Sequence, residues 1–270
     1  MKREIRIFFT AIMFLTRIHV PKFVDHDPSY ISKSRKYFPL IGWIVGTFSV
    51  FVFLVINKYF SLNLAILASM IAGILMTGAF HEDGFADCCD AFGGGWTKEK
   101  ILAIMKDSRL GTYGVIGLIS ILAVKFLLIL ELPKFTPDFP GTGMNILYNY
   151  RYFIFLIIAA HSTSRLMAVY VIQTSAYVTD PANSKSSLNS SDKLSVPELL
   201  IAIFFGVAPL FFLPWKFSLI LLVQLYGAYS LRQYFKKWIN GYTGDCLGAV
   251  QQVTEIIFYL GATIVWQFLL

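Results

Sequence analysis

Charged residues are scarce in this 270-residue sequence: they make up 14% of it, whereas hydrophobic residues make up 56%. Soluble domains usually carry about 25% charged residues, so the composition argues against a soluble enzyme. The apolar runs approach the roughly 20 residues that cross a bilayer core. We therefore expect one all-α domain over residues 1–270, a polytopic transmembrane helical bundle.

Cysteine is scarcer still. The three cysteines are two neighbours, Cys88 and Cys89, and the distant Cys246. This spacing gives no disulfide framework and is typical of a reducing compartment. The sequence also lacks a small-residue cleavage site after its apolar N-terminal stretch, so we do not expect an ordinary signal peptide. No Ser–His–Asp or paired Cys–His arrangement stands out.

Acidic residues are fewer than basic ones, 16 against 23, which gives a net charge of +7. In a membrane protein this charge suggests an anionic leaflet and anionic substrates more than nucleic acid. If the N-terminus is cytoplasmic, most Lys and Arg fall in cytoplasmic segments, as the positive-inside rule requires. We therefore expect an integral protein of the plasma (inner) membrane, in contact with lipid, with its active site facing the cytoplasm. The sequence does not give the oligomeric state, and a homo-oligomer is one possibility.

About seven spans follow from the apolar runs. They cover residues 39–57, 64–80 (continuing as a helix to 92), 111–132, 152–172, 196–214, 217–235 and 248–269. Before them, Ile5 to Val20 mixes apolar residues with arginine and is typical of an interfacial amphipathic helix that ends at Pro21. The alternative is a poorly inserted first span. Residues 133–150 are expected to form an external loop, and residues 179–195 a mobile cytoplasmic loop.

The most informative stretch is an acidic one at the end of an apolar run. On a continuing helix, Asp83, Asp87 and Asp90 fall at i, i+4 and i+7, within a roughly 60° arc of one face. Carboxylates this close repel one another unless a cation lies among them. Hard oxygen donors favour Mg²⁺, Mn²⁺ or Ca²⁺. Gly84 lies on an adjacent small-residue face that lets another helix come close. The alternative interpretation is a solvated acidic helix end.

A basic loop follows. Lys106 and Arg109, with Ser108 between them, can bind phosphate, and Arg109 can grip two oxygens. Gly111 and Gly114 open the next span, where free N–H groups could face an anion. Basic residues at a membrane edge also serve as plain topology anchors.

The third candidate is the turn from Gly241 to Gly248. A helix starting near Asp245 would place Asp245, Gly248, Gln252 and Glu255 on one face. An N-cap is the structural alternative for Thr243 or Asp245. Glu255 lies deeper and must pair, with Lys125 or Arg165 as candidate partners; a structural ion pair is its alternative role.

His81 precedes the acids and lies on the far side of their helix, so it is as well suited to structural hydrogen bonding as to ligation. Two groups of acidic residues, with basic residues nearby at the same membrane face, fit a metal-assisted phosphotransfer from a diphosphate substrate. A carboxylate takes the proton of an attacking hydroxyl and a nucleoside monophosphate leaves. The spacing Asp-x-x-x-Asp-x-x-Asp resembles that of CDP-alcohol phosphotransferases, but it departs from their pattern, which has Asp-x-x-Asp-Gly-x-x-Ala-Arg and a further Gly and two Asp on the next helix.

Three motifs together are similar to the cobalamin synthase family, the adenosylcobinamide-GDP ribazoletransferases. They are His81-x-Asp83-Gly84-Phe85-Ala86-Asp87-x-x-Asp90, Met105-Lys106-Asp107-Ser108-Arg109-Leu110-Gly111-Thr112 and Thr243-Gly244-Asp245-x-Leu247-Gly248-Ala249. They occur in the family's order, and the resemblance covers essentially the whole chain. It implies a Mg²⁺-dependent membrane enzyme, with Mn²⁺ as a substitute, that joins adenosylcobinamide-GDP to α-ribazole or its 5′-phosphate and releases GMP.

The resemblance also implies roles for individual residues. Asp83, Asp87, Asp90 and Asp245 are the expected metal ligands, and Asp87, Asp90 and Asp245 the expected catalytic residues. Lys106, Ser108, Arg109, Thr243 and Gly244 are expected to bind the substrate phosphates. His81, Glu82 and Glu255 are further candidates. Three positions depart from the family pattern: Glu82 stands where leucine is expected, Ala91 where glycine is usual, and Gln252 where an acid is common. Glu82 could add a ligand or point to solvent.

Two other functions stay open on the sequence alone. One is a CDP-alcohol-type phosphotransferase that uses a lipid acceptor. The other is a cation or metabolite transporter, which the intramembrane Lys125, Arg165 and Glu255 would permit. The clustering of acids at one surface argues against a transport path through the midplane.

Overall fold

A computed structural model describes residues 2–24, 27–132, 150–178 and 193–270. Most of the expected loops 133–150 and 179–195 lies outside these residues. The described chain is helical, and its one β-type contact is an isolated bridge between Tyr177 and Tyr242. The expected all-α membrane bundle is confirmed.

Eleven α-helices, numbered here in chain order, make up the described residues. They are α1 (Lys2–Leu15), α2 (Pro28–Ser34), α3 (Phe38–Asn57), α4 (Leu62–Thr77), α5 (Phe80–Gly94), α6 (Lys98–Met105), α7 (Thr112–Glu131), α8 (Arg151–Thr174), α9 (Val196–Val207), α10 (Ile220–Ile239) and α11 (Gly244–Ile264). Short 3₁₀ turns join α2 to α3 and α9 to α10, and a π turn follows α11.

The number of spans differs from the expected seven. Among the described residues, four helical segments are long and apolar enough to cross a membrane: Ser29–Asn57, Thr112–Glu131, Arg151–Thr174 and Gly244–Leu269. The pair α4 and α5 would make a fifth if it counts as one broken span. The expected span 196–214 is a 12-residue helix with a 3₁₀ extension. The expected span 217–235 corresponds to α10, which continues through Lys236 and Lys237 and is less apolar than the four spanning segments.

The expected continuous helix 64–92 is wrong, because it breaks between Thr77 and Phe80. Gly78 has a φ of 66° and closes α4, its N–H bonding back to Leu75, while Ala79 follows with a φ of 58°. Two successive left-handed residues end a right-handed helix, and the first is glycine, which adopts this conformation without a steric cost. The chain turns by 87°, and α5 starts in a new direction.

The N-terminal helix α1 buries one side, including Ile7, Ala11 and Leu15. It ends at Leu15 and not at Pro21 as expected. The Thr16 hydroxyl donates to the Ile12 carbonyl (2.7 Å) and accepts from the Ile18 N–H (3.2 Å), local bonds that compete with further helix. The Arg17 N–H then donates to the Met76 carbonyl (2.8 Å), which ties the chain to the end of α4. Its interfacial location stays a prediction.

The central element is α8, which is buried along most of its length. It contacts α3 closely at Gly42, where an added Cβ would lie 2.7 Å from the His161 carbonyl carbon. The helices α7, α10 and α11 surround the other sides of the bundle, and α5 packs across α11. The site described next lies where α5 and α11 meet.

Candidate active site

Two glycines bring α5 and α11 into backbone contact. An added Cβ at Gly84 would lie 2.9 Å from the Asp245 Cα, and one at Gly248 would lie 2.9 Å from the His81 carbonyl oxygen. Real Cβ atoms essentially never come this close to another atom, so both positions require glycine while the helices stay where they are. The expectation that the small face of Gly84 receives a neighbouring helix is confirmed.

This contact brings Asp83 and Asp87 of α5 to the first turn of α11, which carries Asp245. We call these three residues the acidic cluster. Asp83 is exposed, whereas Asp87 and Asp245 are half-buried. Asp87 lies within electrostatic range of Asp245, Asp83 and Asp90, and Asp245 within range of Asp83. No described residue donates a hydrogen bond to the carboxylate of Asp83 or Asp87. The cluster therefore holds negative charge that the described side chains leave uncompensated.

No group of three or more His, Cys, Asp or Glu side chains converges with the geometry of a metal cage in the described ranges. The cluster is thus an open arrangement of carboxylates. An open arrangement suits Mg²⁺, which usually keeps several waters and takes one or two protein carboxylates together with substrate phosphates.

Asp90, the last acid of the motif, has a different set of contacts. Its buried carboxylate accepts from the Gly111 N–H (2.7 Å) and the Gly114 N–H (2.8 Å) at the start of α7. The sequence predicted that these amides would face an anion, and in the structure that anion is Asp90 itself. Asp90 thereby fixes the start of α7 against α5, and both of its oxygens are engaged.

The basic loop from Met105 to Gly111 is attached next to the site at both ends. The Thr243 hydroxyl lies 3.6 Å from the Met105 Sδ, and Gly111 is held by Asp90. Between these ends, Lys106, Ser108 and Arg109 are exposed. Arg109 forms an ion pair with Asp107 (2.7 Å) and lowers the pKa of that carboxyl to about 2. The structure therefore places the phosphate-binding candidates on an exposed loop beside the acidic cluster.

The turn before α11 is shaped by Thr243. Its hydroxyl oxygen accepts from the Cys246 N–H (3.3 Å), so Thr243 is the N-cap of α11. An N-cap is the structural role that the sequence offered for this residue beside phosphate binding. The hydroxyl also lies 3.4 Å from the Asp245 Oδ2. Tyr242 is held by the Tyr177 bridge, through bonds to the Ala176 carbonyl and the Val178 N–H. This turn leaves the Asp245 carboxylate in the cluster and leaves open space beside Gly244.

Glu255 lies in a separate buried network. It accepts from the Lys125 ammonium (3.1 Å), the Gln251 amide (2.8 Å) and the Tyr259 hydroxyl (3.2 Å). Of its two predicted partners, Lys125 makes the ion pair, whereas Arg165 donates to the His161 carbonyl (2.9 Å). Glu255 therefore has the contacts of a structural ion pair.

Glu82 points neither to solvent nor to the acidic cluster. It is buried, and its Oε1 accepts from the Gln252 amide (2.9 Å), whose own Oε1 accepts from Lys125. Two of the three residues that depart from the expected family pattern, Glu82 and Gln252, thus contact each other. Sequence reasoning named the Lys125–Glu255 pair as a candidate but missed the contact between Glu82 and Gln252; the available signal was the pair of amides at Gln251 and Gln252 within a membrane helix.

A family model described as cobalamin-5-phosphate synthase matches residues 7–263. An adenosylcobinamide-GDP ribazoletransferase of Leptospira interrogans is 40% identical over 273 residues, which cover 98% of this chain and 98% of that protein. The protein of the same name from Shewanella sp. (strain W3-18-1) is 41% identical over 264 residues, with 97% and 95% covered. No solved structure matches the chain.

Proposed function

Because the chain belongs to the cobalamin-5-phosphate synthase family, we propose that it joins adenosylcobinamide-GDP to α-ribazole, or to its 5′-phosphate, and releases GMP. The substrates come from the names of relatives that match the chain over nearly its full length. The structural observation that carries the proposal is the acidic cluster, in which Asp83, Asp87 and Asp245 meet from two helices with uncompensated charge.

The residues fit a divalent cation. Asp83, Asp87 and Asp245 offer hard carboxylate oxygens, and the cluster is open enough for a bound diphosphate to complete the coordination. One or two of these carboxylates, together with the substrate phosphates, would hold Mg²⁺, or Mn²⁺ in its place. When bound, the cation neutralises charge on the diphosphate and on the departing GMP.

The bond changes occur between the two substrates, and residues of the chain take up the proton. A ribose hydroxyl of the ribazole attacks the phosphorus attached to cobinamide, and a new P–O bond forms. The bond between that phosphorus and the bridging oxygen breaks, so the bridging oxygen leaves with GMP. The hydroxyl proton passes to a carboxylate of the cluster, for which half-buried Asp87 and Asp245 are better placed than exposed Asp83.

The loop and the helix ends position these groups. Arg109 can exchange the Asp107 carboxylate for phosphate oxygens and grip two of them, with Lys106 and Ser108 beside it. Asp90 acts as a positioning residue, because both its oxygens hold the start of α7. We propose that the site lies at the cytoplasmic face of the inner membrane, because the neighbouring segment 95–111 is rich in Lys and Arg, as the positive-inside rule requires of a cytoplasmic segment.

The direct test uses purified protein, both substrates and Mg²⁺, with GMP release and cobalamin formation as readouts. Asp87→Asn and Asp245→Asn should each lower turnover by at least about 100-fold while the protein still elutes as a folded species. Asp27→Asn is the matched control, because Asp27 caps α2 and asparagine caps equally well. Full turnover in both cluster variants would remove the proposed site, and formation of a phospholipid instead of cobalamin would support the lipid-acceptor alternative.

A further inference from the structure

A polar recess lies inside the bundle, on the side of α5 and α11 away from the acidic cluster. It lies between α3, α4, α5, α7, α8 and α11, which all contribute residues to its lining. Its charged lining residues are Glu82, Lys125, Arg165 and Glu255. The charges of the two carboxylates and of the two cationic side chains cancel. With His81 and His161 neutral, the recess therefore carries no net formal charge.

Three buried polar atoms in this lining have no hydrogen-bond partner among the described residues. They are the Glu82 Oε2, the Arg165 Nε and the Ser49 Oγ. The three residues are only 8%, 2% and 3% exposed. Buried polar groups are nearly always satisfied, so these three atoms need hydrogen-bonding partners that the described residues do not supply. Together they offer an acceptor, a donor and a hydroxyl that can do either.

We propose that the polar recess binds a neutral carboxamide group. The carbonyl of a carboxamide accepts from the Arg165 Nε–H, and its NH₂ donates to the Glu82 Oε2 and to the Ser49 hydroxyl. A charged guest would upset the balance of charges in a site removed from water, where an unpaired charge is costly. A neutral guest that both donates and accepts leaves the Lys125–Glu255 ion pair intact.

Two lining residues of the recess, His81 and Arg165, also line a second, mostly apolar pocket. The lining of this second pocket includes Gly244 and Gly248 of α11, the helix whose first turn carries Asp245. Resting on the proposed function, the guest is a carboxamide side chain of the corrinoid, since such groups surround a corrin ring. The recess would then hold the ring edge while the attached diphosphate reaches the acidic cluster.

The test measures binding without turnover, so it does not depend on the proposed reaction. The probes are propionamide, propionate and propylammonium, added to the purified full chain and followed by saturation-transfer NMR. We expect millimolar binding of propionamide and at least about 10-fold weaker binding of the two charged probes. Cobinamide without a nucleotide should displace propionamide.

Variants assign the binding to the recess. Glu82→Gln removes one carboxylate charge, so propionamide should bind about 10-fold more weakly and propionate more tightly. The double variant Glu82→Gln/Gln252→Glu returns the charge across the same hydrogen bond and should recover propionamide binding. Ser49→Ala removes a single hydroxyl and serves if Glu82→Gln does not fold, and exposed Glu99→Gln is the matched control.

Two results would overturn the proposal: no binding of propionamide to the unaltered chain, or binding that neither Glu82→Gln nor Ser49→Ala weakens. Binding that cobinamide fails to displace would overturn the assignment of the guest to the corrinoid. Loss of GMP release with propionamide binding intact would instead count against the proposed reaction alone.

Discussion

Gly84→Ala tests whether the acidic cluster depends on the close contact between α5 and α11. The new methyl group would lie 2.9 Å from the Asp245 Cα and 3.0 Å from its carbonyl oxygen. Ordinary carbon contacts lie at about 3.5–4.0 Å, so the two helices must separate by roughly 0.5–1 Å. Both clashing atoms belong to the backbone and cannot rotate away.

Two effects follow from this separation. Overpacking of this kind destabilises by about 1–3 kcal/mol. A displacement of about 1 Å between the carboxylates of α5 and Asp245 would lower turnover roughly 100-fold, because the reacting groups lose their alignment. The assay records kcat and both KM values from GMP release, together with thermal unfolding in detergent.

Gly94→Ala is the matched control on the same helix, since its methyl group would meet only the Ile104 Cδ1 at 3.4 Å. It should leave turnover within about twofold of the unaltered chain. If Gly84→Ala keeps both its stability and its turnover, α5 and α11 do not approach as closely as described, and the basis for a shared cluster fails.

Three more predictions concern groups around this contact. Asp90→Asn should lower the free energy of unfolding by about 1–3 kcal/mol, because it weakens two charge-assisted hydrogen bonds to α7. Asp87→Asn should leave the free energy of unfolding unchanged or raise it, because it relieves repulsion between carboxylates. A denaturant titration of both variants separates the two roles. Mg²⁺ without substrates should raise the unfolding temperature of the unaltered chain and have no such effect on Asp83→Asn/Asp87→Asn, and an equal shift in both would contradict metal binding at the cluster. Glu255→Gln should lower the free energy of unfolding by about 3–5 kcal/mol, because it leaves the Lys125 charge buried and unpaired. The double variant Lys125→Met/Glu255→Gln should recover part of that loss. A double variant less stable than Glu255→Gln would show that the unpaired Lys125 charge is not the main cause of the destabilisation.

The sequence was sufficient for the contact that matters most. Helical spacing placed Asp83 and Asp87 on one face, and the lack of a side chain at Gly84 indicated a close neighbour, which the structure identifies as α11. The amides of Gly111 and Gly114 were predicted to face an anion, because they open an apolar helix. Such inferences succeed because they depend on local periodicity.

The break at Gly78 and Ala79 was missed for a physical reason. Glycine is common in membrane helices, so Gly78 alone does not signal a turn, and alanine favours a helix over the left-handed conformation that Ala79 adopts. Tertiary contacts hold it there. The contact between Glu82 and Gln252 was also out of reach, because it joins residues far apart in the chain.

The right-angled turn after α4 has a mechanical consequence. A shift of α4 along its own axis is nearly perpendicular to α5, so it does not push α5 along the axis of α5. Meanwhile α5 is clamped by the paired glycines on one side and by Asp90 on the other. We therefore expect that a tilt of α4 in bilayers of different thickness leaves the spacing between the carboxylates of α5 and Asp245 unchanged.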